Sequence, residues 1–413
     1  MLKNFLPSAT DMVIAFRNVT RHRRRTLSAL AIIVGGVVAF LMTGGFVRWM
    51  LENMAEGIIY SEFGHLQIVR PGYFDKGISD PYRFLLPEDA KMDPDIRTVP
   101  EVAVVSPRLA FTGLLGYNDA TLTFSGAGVD PVDDLQVSKY VTILSGERLS
   151  REDPNGVALG EGLAQNLGVK VGDALVLMTN TAKGQLSASD VHVRGIFSTF
   201  NKEYDAGALR APISLVRKLV KVKGATSWVV LVDKTPRTDE TLAVMRARLA
   251  GRDYQVYSWF DLADYYRKTV DLFEQQVLVI EIMIGLIVAV SIGNTMQMVV
   301  IERTTEIGTM MAIGRRRSDV LRLFLLEGCV LGFLGGLIGA GGGWLLSIAV
   351  SKIGIPLPPP PGMSEGFDAE VLVDLPLAIN GFVLALGTTM AASVFPAFKA
   401  SRTNVVDALR RQA

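Results

Sequence analysis

The 413-residue sequence has a single cysteine, Cys329, and only three histidines, His22, His65 and His192. A lone cysteine excludes an intramolecular disulfide and a cysteine-based metal site, and three scattered histidines do not supply a His-rich one. Excess charge of either sign is also missing, with 42 Lys+Arg against 41 Asp+Glu. That balance excludes a highly basic nucleic-acid binder, so no nucleic-acid partner is expected. The sequence contains no Gly-x-x-x-x-Gly-Lys-Ser/Thr loop, no Gly-x-Ser-x-Gly elbow and no His-Glu-x-x-His helix, and Gly160-Glu-Gly162 lacks the rest of a dinucleotide fingerprint. These are the patterns that cradle phosphate, raise a nucleophile or hold zinc. The expectation is a chain that is not an enzyme, with no catalytic residue and no cofactor or metal of its own.

Apolar residues are abundant. They make up 49% of the chain, with 40 glycines beside them, while charged residues reach only 20%. Such a chain is not disordered. Its charged residues still need water, so membrane spans joined to a sizeable soluble domain are expected. Four runs are long and apolar enough to cross about 30 Å of hydrocarbon: 26–47, 277–301, 320–350 and 375–395. The first begins too far from Met1 and runs too long for a cleavable signal peptide, and reads as an uncleaved span.

Lysine and arginine near the span ends set the orientation. Residues 1–25 carry Lys3, Arg17, Arg21 and Arg23–Arg25; the loop 302–319 carries Arg303 and Arg315–Arg317; the tail 396–413 carries Lys399, Arg402, Arg410 and Arg411. The Pro-rich loop 351–374 has Lys352 alone against four acids, and residues 48–271 hold 26 Lys/Arg against 29 Asp/Glu. Both termini and the 302–319 loop are therefore expected in the cytoplasm, with 48–276 and 351–374 outside. Residues 12–25 suit an amphipathic helix at the inner surface, basic heads among membrane lipid, or a topology signal alone.

The 48–276 segment is large enough for its own core. Strand-like runs at 65–69, 102–106 and 121–124 lead to a β-rich lobe at about 141–213, with strands 157–159, 174–178 and 191–197, a short helix 161–167, and a polar hairpin tip at 179–190 containing Gly184. A later strand–helix–strand at 228–232, 239–249 and 255–257 favours an α/β lobe. His65 and His192 read as ordinary strand residues, and the acid pairs Asp133–Asp134 and Glu88–Asp89 as solvated loops. A helical pattern without Pro or Gly runs from 260 up to Gly285, and one helix is expected from 260 to about 304. The fold class is thus an α-helical membrane protein with four transmembrane helices plus a large α/β (α+β) extracytoplasmic domain of two lobes.

Two patterns in the membrane part are specific. Gly328, Gly332 and Gly336, with Gly335, Gly339 and Gly343 offset, form overlapping small-xxx-small repeats that let helix backbones approach closely, within the chain or across a subunit interface. Between the second and third spans lies Glu302-Arg303-Thr304-Thr305-Glu306-Ile307-Gly308, then Ala312-Ile313-Gly314-Arg315-Arg316-Arg317. Glu302, Arg303 and Glu306 are expected on one helical side, ended by a break at Gly308. Ala312 and Gly314 permit close approach, and Arg315 and Arg316 offer donors to phosphate or carboxylate. The plain reading is a charged turn. Glu327, inside the third span, needs a partner, with Gln297, Asn294 or Glu302 as candidates.

The 301–336 stretch, the ending Pro396-Ala397-Phe398-Lys399-Ala400-Ser401-Arg402 with Asp407-Ala408-Leu409-Arg410, and the 160–173 block with Val193-Arg194-Gly195-Ile196-Phe197 resemble the ABC-transporter permeases of the FtsX/MacB/LolC–LolE superfamily. Arg315 stands where a small residue is more usual, and 404–406 lack the usual Pro. The resemblance implies that Glu302, Arg303, Glu306, Gly308, Ala312, Gly314, Arg315 and Arg316 couple to a separate ABC ATPase subunit, which would hold ATP and Mg. It also implies a second permease subunit, as homodimer or heterodimer. Thr179, Lys183, Gly184 and Gln185 fall where LolC-like members contact a periplasmic lipoprotein chaperone. Lipoprotein or lipid release is the leading expectation. Macrolide-exporter-like efflux with an adaptor, and FtsX-like activation of a cell-wall hydrolase, stand as alternatives.

Overall fold

The computed structural model describes residues 9–21, 23–77, 80–88, 93–199, 201–357 and 367–402. His22, Asp89, Pro358–Pro361 and the 404–410 motif lie outside them. The chain divides into two compact units.

The helical unit comprises the chain up to Leu51, Val270–Ile355 and the chain from Asp368. Among the described residues, four helices are long and apolar enough to cross a membrane. The first is Arg23–Ile58, continuing as a π-turn Ile59–Phe63; the second Asp264–Glu302; the third Arg317–Ile353; the fourth Leu375–Ser401. Each exceeds its apolar run, because helix hydrogen bonding carries on past the hydrocarbon-length stretch. The second starts at Asp264 rather than 260, because Ala263 has ψ 70° and separates it from a short helix Trp259–Leu262. The fourth continues through Pro396. Its start is fixed by Asp374, whose carboxylate accepts from Leu377 N at 3.0 Å, with a proline in the first turn. Large apolar side chains such as Ile282, Leu286, Val290, Leu345 and Val383 face outward. Helices apolar all round belong in lipid rather than water.

An N-terminal helix, Ala9–Arg21, buries Val19 in the same cluster as Ile33, Val37, Leu41, Ile292 and Leu331. It is thus packed protein as well as a basic surface segment.

The other unit comprises Glu52–Thr269 and Pro356–Phe367. Ten strands form one sheet: β1 Leu66–Val69, β2 Val102–Tyr117, β3 Ala120–Val129, β4 Thr142–Gly146, β5 Gly156–Gly160, β6 Ala174–Asn180, β7 Leu186–Ser198, β8 Ala208–Pro212, β9 Ser227–Val232 and β10 Gln255–Ser258. The pairings β2–β3, β3–β8, β8–β5, β5–β7, β7–β6 and β6–β2 close on themselves. Six strands therefore form a barrel, which leaves few open edges. Its core contains Leu109, Phe111, Leu115, Leu159, Leu177, Val193 and Leu209, with Leu163 and Val216 from the helices Glu161–Leu167 and Ile213–Val220. Gly113 is required where β2 meets β6, because a Cβ there would strike the Met178 carbonyl.

The later block is a split β-α-β. The helix Thr238–Arg248 carries the chain from β9 to β10, and β1 lies between these two strands, antiparallel to both. Its core is Leu66, Ile68, Trp228, Val230, Met245 and Val256. The two blocks share one sheet through the long β2, which pairs with β9 at one end and β3 along the other.

Two polar expectations change here. The polar tip at 179–190 shrinks to the turn 181–185, because β6 and β7 remain paired out to Asn180 and Leu186. Asp133 and Asp134 sit in a helix, Pro131–Val137, and Asp134 faces Arg210, which is 3% exposed, at 3.4 Å. His65 is fully buried; its Nδ1 accepts from Val232 N at 3.2 Å, leaving Nε2–H to face Thr235 Oγ1 at 3.2 Å. Burial holds its pKa down to about 4.

Candidate functional site

The segment joining the second and third apolar helices is compact. The second helix ends at Glu302. Arg303 (ψ 13°) breaks it, and a junction helix follows over Thr304–Ala312. Gly308 lies inside that helix and is buried, so it is not the break. The turn comes at Gly314, whose φ of +99° is the left-handed region that favours glycine. Asp319 then accepts from Arg316 N at 3.0 Å and starts the third helix.

The junction helix is anchored from below. Ile307 is 1% exposed among Val300, Val320, Phe324, Ala397 and Ala400, side chains of the second, third and fourth helices. Charge fixes it as well. The Arg303 guanidinium donates through Nε to Glu306 Oε2 and through Nη1 to Glu327 Oε1, both at 2.9 Å. Asn18 of the N-terminal helix donates to the same Glu327 oxygen at 2.7 Å. Arg21 lies 3.6 Å from Glu306, and Arg25 donates to Glu302 at 2.7 Å and to the Thr295 carbonyl. Glu327 is 4% exposed. A carboxylate so buried is tolerable only with donors of this kind. Its partners are therefore Arg303 and Asn18, not Gln297, Asn294 or Glu302.

Glu302, Arg303 and Glu306 do not form one exposed stripe, because the break at Arg303 turns them to different neighbours. Arg303 and Gly308 face inward; Glu302, Glu306, Ala312, Gly314, Arg315 and Arg316 are exposed. Sequence reasoning passed over Ile313. It is 81% exposed beside three arginines at the outer end of the junction helix. An isoleucine inside an otherwise polar turn is the signal that could have found it. Asn18 carried no such signal, because its partner lies 309 residues away.

The six glycines of the third helix face two neighbours. Added Cβ atoms on Gly335, Gly339 and Gly343 would meet Ile33, Val37 and Leu41 of the first helix at 2.6 to 2.7 Å. On Gly328, Gly332 and Gly336 they would collide with Ser393, Thr389 and Phe382 of the fourth. Gly341 and Gly342, by contrast, have nothing within 4 Å.

At the hairpin tip Thr179 is 3% exposed and donates to the Thr112 carbonyl at 2.7 Å, so it is structural. Lys183, Gly184 and Gln185 are exposed in the turn, where Gly184 has φ +76°. Among the described residues no group of three or more His, Cys, Asp and Glu is placed to hold a metal.

The FtsX-like permease C-terminal family model matches residues 278–405, which include the whole junction. The MacB-like periplasmic core domain model matches residues 26–248, more than half the chain. The chain is an ABC transporter permease of the FtsX/MacB family. Among curated proteins, this permease is 28% identical to the macrolide export ATP-binding/permease protein MacB of Hyphomonas neptunium, over 97% of the chain and 60% of the relative. It is 38% identical to the ABC transporter permease YtrF of Bacillus subtilis over 31% of the chain and 30% of the relative. The permease thus spans about three fifths of the length of the MacB relatives it matches. Among solved structures, the periplasmic region of MacB from Actinobacillus actinomycetemcomitans aligns with 53% of the chain and 98% of its own, at 15% identity and a TM-score of 0.36.

Proposed function

We propose that the permease is driven by an ABC ATPase, holding ATP and Mg, that seats on the outer end of the junction helix. The observation that carries this reading is the contrast within that helix. Its inner side is clamped by Ile307 and by the Arg303–Glu327 pair, while its outer end presents Ile313 with Arg315 and Arg316. An apolar knob ringed by cations on a rigid mount suits an acidic cleft with an apolar floor. The mount lets movement of that end reach the helices without being absorbed by a loose loop. In this reading the permease lies in a bacterial inner membrane with both termini and the junction helix in the cytoplasm. The sheet unit is outside, and a second permease subunit completes the assembly.

The MacB relatives carry macrolide export in their names, which supports export as the first reading, for which we propose an extracytoplasmic cargo and an adaptor. Lipoprotein or lipid release by way of a chaperone is the second. It is favoured by Leu114, Val176 and Leu186, 41%, 40% and 73% exposed on the strands below the hairpin turn, an apolar face beside Lys183 and Gln185. The test is to express the permease with its ATPase in a macrolide-sensitive, exporter-deleted strain. A raised macrolide tolerance that Ile313→Asp abolishes supports export. Unchanged tolerance, with lipoproteins released from spheroplasts, moves the assignment to the second reading.

A further inference from the structure

The first apolar helix ends inside the sheet unit in an unusual way. A helix normally leaves its last four carbonyls without partners. Here the helix closes with the π-turn Ile59–Phe63, and four consecutive carbonyls are each met by a different donor. The Tyr60 carbonyl accepts from Tyr140 N at 3.3 Å. The Ser61 carbonyl accepts from Arg210 Nη2, the Glu62 carbonyl from Arg108 Nη1, and the Phe63 carbonyl from Gln67 Nε2 at 3.1 Å. Arg108 belongs to β2, Arg210 to β8 and Gln67 to β1, so three strands of one sheet hold one helix end. Both arginines are cations at the negative pole of a helix dipole. Arg210 is itself held by Ser138 Oγ and by Asp134. The second helix enters the same unit differently. It is cut at Ala263, a single non-helical residue braced by the Trp259–Tyr266 ring contact at 4.9 Å.

We infer that Arg108 and Arg210 are positioning residues that splice the closing π-turn of the first apolar helix into the barrel, so that a displacement reaching this turn is passed to the barrel. The inference rests on the proposed drive at the junction helix only for the source of the displacement. The splice itself stands on geometry within the sheet unit. Guanidinium suits this task because it presents several donors in a planar fork and keeps its charge when buried.

The test uses the full chain in lipid nanodiscs, with and without its ATPase. Without the ATPase, hydrogen exchange at the Tyr140 and Gly64 amides reads the splice directly, since both donate to the π-turn. The double variant R108Q/R210Q is expected to exchange at least tenfold faster there, with barrel amides such as Leu177 and Val193 unchanged. With the ATPase, a dye on Q185C is expected to respond to ATP in the parent chain and to lose that response in R108Q/R210Q, while the ATPase still co-purifies. Unchanged exchange at Tyr140 and Gly64, or an ATP response of parental size in the variant, overturns the inference. An ATP response missing from the parent chain counts against the drive, and the exchange result still decides the splice. If R108Q/R210Q does not fold, Q67L removes one of the four donors, and faster exchange confined to Gly64 is the expected result, with parental exchange there overturning it.

Discussion

Arg303 Nη1 lies 2.9 Å from Glu327 Oε1, across a break in one helix and in the interior of the next. This pair ties the junction helix to the third apolar helix. Its partners on either side, Glu306 and Asn18, bring in the junction helix and the N-terminal helix. Removing one member of a buried pair leaves the other uncompensated, at a cost of about 3–5 kcal/mol. E327Q and R303M are each expected to lower the thermal midpoint of the purified protein. The double variant is expected to fall by less than the sum of the two. Additive losses in a melting cycle would show that the pair is not coupled.

Backbone approach at the third helix gives a position-specific expectation. An alanine at Gly332 meets the Thr389 hydroxyl, itself tied to the Ala385 carbonyl at 2.7 Å, so G332A is expected to cost about 1–3 kcal/mol. G341A meets nothing within 4 Å and is expected to leave the melting temperature unchanged or slightly raised. Equal effects of the two substitutions in the same detergent would contradict intrachain packing as the role of Gly332.

His65 predicts an acid limb for the sheet unit. Its pKa is lowered from 6.5 to about 4 in the fold, so the unfolded state takes up the proton first. Its contribution is present above pH 6.5 and is lost progressively down to about pH 4, a change of about 3 kcal/mol. H65N is expected to be less stable at pH 7 yet to show a flatter stability profile between pH 6.5 and 4. Urea titrations across that interval check it; parallel profiles for the two proteins would remove His65 as the cause.

Topology is open to a labelling test. Gln185 sits in an exposed turn of the sheet unit. With Cys329 replaced, Q185C is expected to react with an impermeant thiol reagent supplied outside the inner membrane of intact spheroplasts. Labelling only after lysis reverses the proposed orientation.

Much of this architecture is legible in the sequence. The four apolar runs announce the helices because about twenty consecutive, mostly apolar residues with few charges have few other uses. The short helix expected at 161–167 ends at Gly168, whose left-handed conformation makes it a stop signal. The expected break at Gly308 is misplaced because glycine at a packed helix face looks, in one dimension, like glycine at a turn. The pairings that matter most are hidden for a different reason. Glu327 with Asn18, and Arg210 with Ser61, join residues far apart in the chain, and no local period encodes them. Arg108 and Arg210 read as ordinary strand arginines until the sheet closes around the helix end.

The proposed seat of the ATPase is the exposed end of the junction helix. Replacing Ile313 with a photoreactive phenylalanine and irradiating intact membranes tests it directly. A covalent adduct with an ATP-binding cassette protein is expected, lost when Arg315 and Arg316 are reversed to glutamate. Adducts confined to lipid, in a strain where that protein is present and the permease is folded, would contradict it.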